Sequence, residues 1–390
     1  MIAPSPPGIP RTIFEPEHAT LRDSMRRFCE REIAPHHAEW EAAGVVPRAI
    51  WRRAGELGFL CMTLPSEYGG ADADFRASVV FTEELARIGA SGPGFVLQSD
   101  IVAPYILHYG TEAQKQRWLP QLASGAIVSA IAMSEPGAGS DLAGVATRAD
   151  RTGGGYVING AKTFITNGVL ADLVIVVAKT DPGAGSRGVT LFLIERGMPG
   201  FSGGRPLEKV GLKAQDTAEM VFDGVRVGDD AVLGDAGNGF KMLMSELAQE
   251  RLSIAVTAVA VCETALEQTI AYCGQREAFG KRILDFQNTR FTLATLKAQV
   301  TMARVFVDRC IELHCAGQLD ATTAAMAKLE TTELQFRVLD ECMQLHGGYG
   351  YMLEYPIARA WADGRVQRIY GGSNEIMREI VGRSLEGGRR

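Results

Sequence analysis

The 390-residue chain shows no internal repeat, no low-complexity tract and no stretch with the composition of a disordered linker. A solenoid and a long unstructured region are therefore not expected. Its seven cysteines, Cys29, Cys61, Cys262, Cys273, Cys310, Cys315 and Cys342, form no Cys-x-x-Cys pair. An odd number scattered through a chain of this size points to reduced, mostly buried thiols rather than a disulfide framework, and no metal site is expected. Basic charge is not in excess either. The formal net charge is −6, whereas nucleic-acid binders usually carry a net basic face. An anionic small ligand stays compatible if local Arg, Lys and backbone N–H groups hold it. No apolar run is read as a membrane span, and the start Met1-Ile2-Ala3-Pro4 lacks the apolar core of a secretory signal. The expectation is a cytoplasmic protein.

What is present is a globular balance, with 46% apolar and 22% charged residues. The length suits two or three domains or one composite fold. From residue 16 to 40, Leu21, Met25, Phe28 and Ile33 recur at roughly helical spacing. Helical patterns continue at 49–57, 77–88 and 112–122, separated by turns such as 65–70. The texture then changes to short β-branched or alternating runs at 156–158, 173–178, 190–195 and 219–227, which predict a small sheet or barrel. Helical periodicity returns at 240–273, 286–316 and 321–345. The fold class is thus α+β, with a helical domain over 1–129, a β domain over 130–236 and a four-helix-bundle-type domain over 237–390.

Five segments carry chemistry. Ser134-Glu135-Pro136-Gly137-Ala138-Gly139-Ser140-Asp141 joins the helical part to the sheet. Its glycines let backbone N–H groups approach a ligand, although such a loop alone is more often an ordinary turn. Asn159-Gly160-Ala161-Lys162-Thr163-Phe164-Ile165-Thr166-Asn167-Gly168 reads as a strand closing in an Asn-Gly turn. Gln275-Arg276-Glu277-Ala278-Phe279-Gly280-Lys281 and Gln287 follow a long helix, and a lone arginine there would ordinarily be a solvated charge. Gln344-Leu345-His346-Gly347-Gly348 ends another helix at glycine, with His346 assigned no catalytic role. The last segment is Arg368-Ile369-Tyr370-Gly371-Gly372-Ser373-Asn374-Glu375.

In order and separation these segments resemble the acyl-CoA dehydrogenases across nearly the whole chain, from about residue 14 to 385. The long-chain branch is the nearest match, through Leu212-Lys213-Ala214-Gln215-Asp216-Thr217-Ala218-Glu219 and Gln249-Glu250-Arg251-Leu252. The resemblance implies FAD as cofactor, contacted by Ile131, Met133, Ser134, Gly139, Ser140, Phe164, Ile165, Thr166, Arg276, Phe279, Gln287, Gln344, Leu345, Gly347, Gly348, Ser373, Asn374 and Glu375. It places Phe164 against the isoalloxazine, the Thr166 hydroxyl near flavin N5, and Arg276 and Gln287 on the cofactor of a neighbouring subunit. It implies an acyl-CoA thioester bordered by Ser140, Ala248, Gln249, Glu250, Arg251, Gly371 and Gly372. An electron-transfer flavoprotein as acceptor and a homotetramer are implied as well. An oxidase using O2, a dehydrogenase of carrier-protein-bound acyl groups and a non-catalytic flavin binder are alternatives on the same fold.

Many members of the family carry a catalytic glutamate directly after the signature tyrosine, where this chain has Gly371. Glycine cannot take a proton from carbon. On the helix that opens near Gly239, Leu243, Leu247, Glu250 and Ile254 follow at steps of four, three and four, which sets a carboxylate in an apolar stripe. Such surroundings raise a carboxyl pKa toward the range a base needs. Periodicity alone leaves a salt bridge, for example to Arg251, equally open, and Glu246 is a rival one turn earlier. The resemblance favours Glu250, since the glutamate of a Glu-Arg-Leu run serves as base in the long-chain and isovaleryl-type branches. The backbone N–H of Gly371 then serves as the implied oxyanion donor. The loop Ser91-Gly92-Pro93-Gly94-Phe95 has little bulk apart from Phe95, and is expected to let a medium-to-long or branched acyl tail run between helices.

Overall fold

The computed structural model describes residues 9–386. Residues 1–8 and 387–390, including the start at 1–4 and the outer ends of the first and third expected domains, lie outside the described residues. The chain opens with helices α1 (Pro16–Phe28), α2 (His37–Ala43), α3 (Arg48–Glu56), α4 (Phe75–Arg87), α5 (Ala103–Tyr109) and α6 (Glu112–Ala123). Strands follow: β1 (Ser129–Ala132), β2 (Arg148–Thr152), β3 (Gly155–Thr166), β4 (Leu173–Lys179), β5 (Val189–Glu195), β6 (Phe201–Pro206), β7 (Thr217–Gly228) and β8 (Val232–Leu233). The 37-residue α7 (Gly239–Gln275) leads through the small hairpin β9 (Glu277–Ala278) and β10 (Lys281–Arg282) to α8 (Gln287–Cys315), α9 (Ala321–Leu345), α10 (Pro356–Gly364) and α11 (Asn374–Leu385).

Local chemistry sets several of these ends. Pro16 opens α1 behind a reciprocal Glu15–His18 cap, and Thr111 and Gln114 cap the start of α6 in the same way. The helical pattern read over 16–40 is not one helix. After Phe28 the chain widens into a π turn at Cys29–Ile33, with Ala34 N–H donating to Cys29 O at 2.8 Å. Pro35 has no N–H to continue it, and α2 restarts at His37.

The sheet runs in the order β6-β7-β3-β2-β4-β5-β8, with β1 parallel to β4. Four of its strands lie in stretches without an alternating signal. Arg148–Thr152 is mostly charged, Phe201–Pro206 holds two glycines, and β1 and β8 are short. Neighbouring strands supply their partners. β4 is buried on both faces: Leu173, Ile175 and Val177 pack with the N-terminal helices, while Val174, Val176 and Ala178 pack with Phe192, Met220 and Phe222. That is the period-two division of a central strand.

In the C-terminal part, α7 packs mainly against α9, with α4 and α8 also on its flanks. By length and composition α7 does reach what a membrane span needs, contrary to the sequence expectation. Half of its apolar window is buried against its neighbours, as in a core helix. The first and last domains are clamped at Glu83 of α4, which is buried and meets Arg11, Arg22 and Arg304 at 2.8, 2.7 and 3.0 Å. The cysteines are unbridged, and all but Cys315 are buried.

Candidate active site

Glu250 lies on α7 and is 6% exposed. The Tyr105 hydroxyl of α5 donates to its Oε1 at 3.0 Å. Burial pushes the carboxyl up to about 7, helped by the like charge of Glu246, while the Tyr105 hydrogen bond and Arg251 pull the other way. No ion pair to Arg251 forms among the described residues. The Arg251 Nε is buried without a hydrogen-bond partner, and burial pushes that guanidinium pKa down. Glu246 is placed differently. Its Oε1 takes the Tyr109 hydroxyl at 2.8 Å and lies 3.0 Å from His108 Nδ1, so this rival is held by two partners. Gln249 is likewise engaged, with Nε2 donating to Asp100 O at 2.6 Å and Oε1 2.9 Å from His314 Nε2. Ala248 is partly exposed beside it.

The signature segment meets this turn of α7. Gly371 and Gly372 have φ of +63° and +89°, the left-handed region that glycine enters without strain. A Cβ added at Gly371 would stand 2.3 Å from Ile254 Cδ1, and Ile254 follows Glu250 by one helical turn. Gly371 and the carboxylate stripe are therefore neighbours in space, 121 positions apart in sequence. Lys328 of α9 pins the segment. Its Nζ, fully buried, donates to Gly372 O and Asn374 Oδ1, each at 2.8 Å. Burial pushes this amine down to about 8. Asn374 is spent on Lys328, Thr332 and Glu333. Ser373 caps α11, and Glu375 lies exposed in its first turn.

The glycine loop at 134–141 is fixed from below. Glu135 and Lys162 form a buried pair at 2.7 Å. Glu135 also accepts from Ala146 N–H and Thr147 N–H, and Lys162 from its other side reaches Met133 O. Burial alone would raise the Glu135 carboxyl, but Lys162 and these donors hold it below its usual range. Above the pair, Gly137 and Gly139 face open space, with no heavy atom within 4 Å of an added Cβ. Ser140 is exposed, and Ser134, Ile131 and Met133 are partly buried. A bulge between Lys162 and Ile165 turns Phe164 outward, at φ +60° and 69% exposed. Ile165 points into the sheet core. Thr166 is partly buried.

A second cluster forms at the end of α7. Arg276, Tyr272, Leu345, Gly347, Gly348 and Tyr349 border a cavity of about 390 Å³. Tyr272 stacks on His346 at 4.2 Å, and Arg276 lies 5.7 Å over the Tyr349 ring. Phe279, at the tip of the β9–β10 hairpin, has φ +52° and is 96% exposed. Gln287 and Gln344 are exposed. Among the described residues, no hydrogen bond or ion pair joins this cluster to Phe164 or to the 134–141 loop. The expected ligand contacts thus fall into two separate groups on one chain. An outward aromatic face, open glycine N–H groups and a guanidinium beside an uncovered cavity are the donor set that a flat ring carrying a pyrophosphate requires.

The 91–95 loop departs from expectation. Phe95 is buried between Trp51 and Phe81, and a Cβ at Gly92 or Gly94 would come within 2.6 Å of Ala214 Cβ or 2.4 Å of Asn167 Oδ1. The glycines serve close packing of the domains. Tyr105 and Lys328 went unmarked in the sequence, and Ile254 was read there only as part of the apolar stripe. Only Lys328 had a signal, a lone amine between Ala327 and Leu329 on an apolar helix.

Comparison with known proteins covers the same regions. Residues 15–126, 130–225 and 237–386 match the family profiles described as acyl-CoA dehydrogenase N-terminal, middle and C-terminal domains. The chain is 51% identical over 377 residues to the mitochondrial long-chain specific acyl-CoA dehydrogenase of Mus musculus, spanning 96% of this chain and 88% of the relative. It superposes on the acyl-CoA dehydrogenase of Geobacillus kaustophilus with a TM-score of 0.95 at 49% identity, covering 97% of this chain and 100% of the other. It also superposes on a Mycobacterium smegmatis glutaryl-CoA dehydrogenase in complex with FADH2, with a TM-score of 0.90 at 29% identity and 97% and 96% coverage.

Proposed function

The chain belongs to the acyl-CoA dehydrogenase family, and from that premise we propose that Glu250 is the base that removes the α-proton of its acyl-CoA substrate. The protein is an FAD-dependent oxidoreductase that converts an acyl-CoA thioester to the trans-2-enoyl-CoA. Bound flavin supplies a hydride acceptor for the β-hydrogen. The residues fit that group: Phe164 offers an uncovered ring face, the 134–141 loop offers open backbone donors over the Glu135–Lys162 pair, and Arg276 with Gly347 and Gly348 offers the second half of a site.

The observation that carries the base assignment is the meeting of Glu250 with the glycine signature. A carboxylate raised to about 7 by burial sits one helical turn from the side chain that fills the space over Gly371. A base of that pKa is charged for much of the time near neutrality and is still basic enough to take a carbon-bound proton. The proton passes to a Glu250 oxygen. Charge then grows on the thioester oxygen, where the Gly371 N–H donates, a contact that needs no side chain. Lys328 fixes the Gly372 carbonyl and so the orientation of that peptide segment.

Medium-to-long or branched acyl groups are the proposed substrates, supported by the similarity to the long-chain specific enzyme of Mus musculus; the space beside Gly371 and Gly372 is taken by Ile254 and Met377 and adds nothing to this. The two separated ligand clusters support a homotetramer in which Arg276, Gln287 and the 344–348 segment complete the site of a neighbour. The electron acceptor is proposed to be an electron-transfer flavoprotein, and unbridged cysteines suit a cytoplasmic setting. The test is flavin reduction by a panel of acyl-CoAs under anaerobic conditions, in wild type and Glu250→Gln. The variant should lose about two to four orders of magnitude in rate while still binding flavin and thioester. Wild-type rates in the variant would remove Glu250 from the mechanism.

A further inference from the structure

Among the described residues the Glu250 side chain has one hydrogen bond, and it comes from another domain. Tyr105 is fully buried on α5, and its hydroxyl donates to Glu250 Oε1 at 3.0 Å. α5 follows a π turn at Leu97–Val102, a local widening of the helix that shifts the register of what comes after it. A buried phenol must find an acceptor, so a satisfied core tyrosine is the ordinary outcome. Here, however, the acceptor is the buried carboxylate at the glycine signature. Its Oε2 has no hydrogen-bond partner among the described residues. One oxygen is tethered and the other is left for a proton.

We propose that Tyr105 is a positioning residue for Glu250, tethering Oε1 so that Oε2 is presented to the substrate and the ionised carboxylate is favoured. This rests on the reading of Glu250 as base. A hydrogen bond donated to a carboxylate stabilises its charged form and fixes its rotamer. Other titratable groups surround the site without bonding to the carboxylate. Glu246 and Arg251 flank it on α7, and His108 and Tyr109 of α5 hold Glu246. Asp100 of the π turn and His314 of α8 hold Gln249, and Lys328 of α9 acts on Arg251 across the helix pair. Glu246 acts against the charged carboxylate, and of these groups Arg251 acts with Tyr105 in its favour.

The experiment uses the FAD-loaded full chain and compares Tyr105→Phe, Glu250→Gln and the double variant. The single change Tyr105→Phe removes only an oxygen. It should move the acid limb of the kcat/KM profile up by about one pH unit. Below that limb kcat/KM then falls about tenfold, and it recovers on the alkaline side. In infrared spectra, the protonated-carboxyl C=O band that Glu250→Gln abolishes should persist to higher pH by the same interval. In the Glu250→Gln background the Tyr105 change should cost nothing further, because its effect runs through that carboxylate. An unmoved limb and band, or an equal loss in both backgrounds, would overturn the proposal and leave Tyr105 as a packing residue. Full turnover in Glu250→Gln alone would instead overturn the base assignment, which the same data report separately.

Discussion

Gly371→Ala is the sharpest test of why the base is not on the signature loop. At φ +63°, an L-residue in the left-handed region costs about 1–2 kcal/mol. The new methyl would also stand 2.3 Å from Ile254 Cδ1, where ordinary contact begins near 3.4 Å. Ile254 must swing aside, at about 0.5–1.5 kcal/mol if it leaves its rotamer well. The combined strain is about 1.5–3.5 kcal/mol, and the loop can relieve part of it by moving the 371 peptide. A displacement of 1 Å in a group that stabilises the transition state can cost about a hundredfold in rate. Stopped-flow flavin reduction should therefore show the limiting rate falling by about ten- to a hundredfold, with a smaller change in substrate affinity. Adding Ile254→Ala removes the clash but not the backbone strain, so the double variant should recover part of the loss. Undiminished reduction by Gly371→Ala, or a double variant no better than the single, would refute the view that Ile254 occupies the side-chain space at 371.

Two further outcomes follow from buried charge. The Glu250 pKa is raised in the folded state to about 7, above the ordinary carboxyl value of 4.5, so its contribution to stability is fully present below about 4.5 and is lost as pH rises through 7. Glu250→Gln should accordingly be more heat-resistant than wild type at pH 8, with the advantage gone in acid; equal melting across that range would contradict the burial argument. Lys328→Met leaves Gly372 O without its 2.8 Å donor and Asn374 Oδ1 with only the Thr332 hydroxyl, and an unsatisfied buried acceptor costs about 1–3 kcal/mol. Amide exchange over 371–377 should quicken by at least about tenfold, and unchanged protection would show that Lys328 does not anchor the segment.

The sequence by itself determined the order of the three parts, because the switch from period 3.6 to short alternating runs and back is written locally in side-chain polarity. It also marked the glycine loop at 134–141, the absence of a side chain at 371, and a carboxylate within the Leu243–Leu247–Ile254 stripe. It could not show β2 and β6, whose charged or glycine-rich residues become strand only because a neighbour's edge supplies hydrogen bonds. It misjudged the 91–95 glycines, since loss of bulk looks the same whether it opens a channel or admits Ala214 and Asn167 into contact. The tertiary structure alone set the surroundings of Glu250 and Glu246 apart. Both lie on one face of α7, four residues apart; the Glu250-Arg251-Leu252 resemblance favours the first, but helical spacing does not separate them. Contacts from α5 do so: Tyr109 and His108 hold Glu246, while a single phenol tethers Glu250 beside Gly371. The pairing of distant residues sets the electrostatics of a buried group, and spacing along one helix cannot encode it.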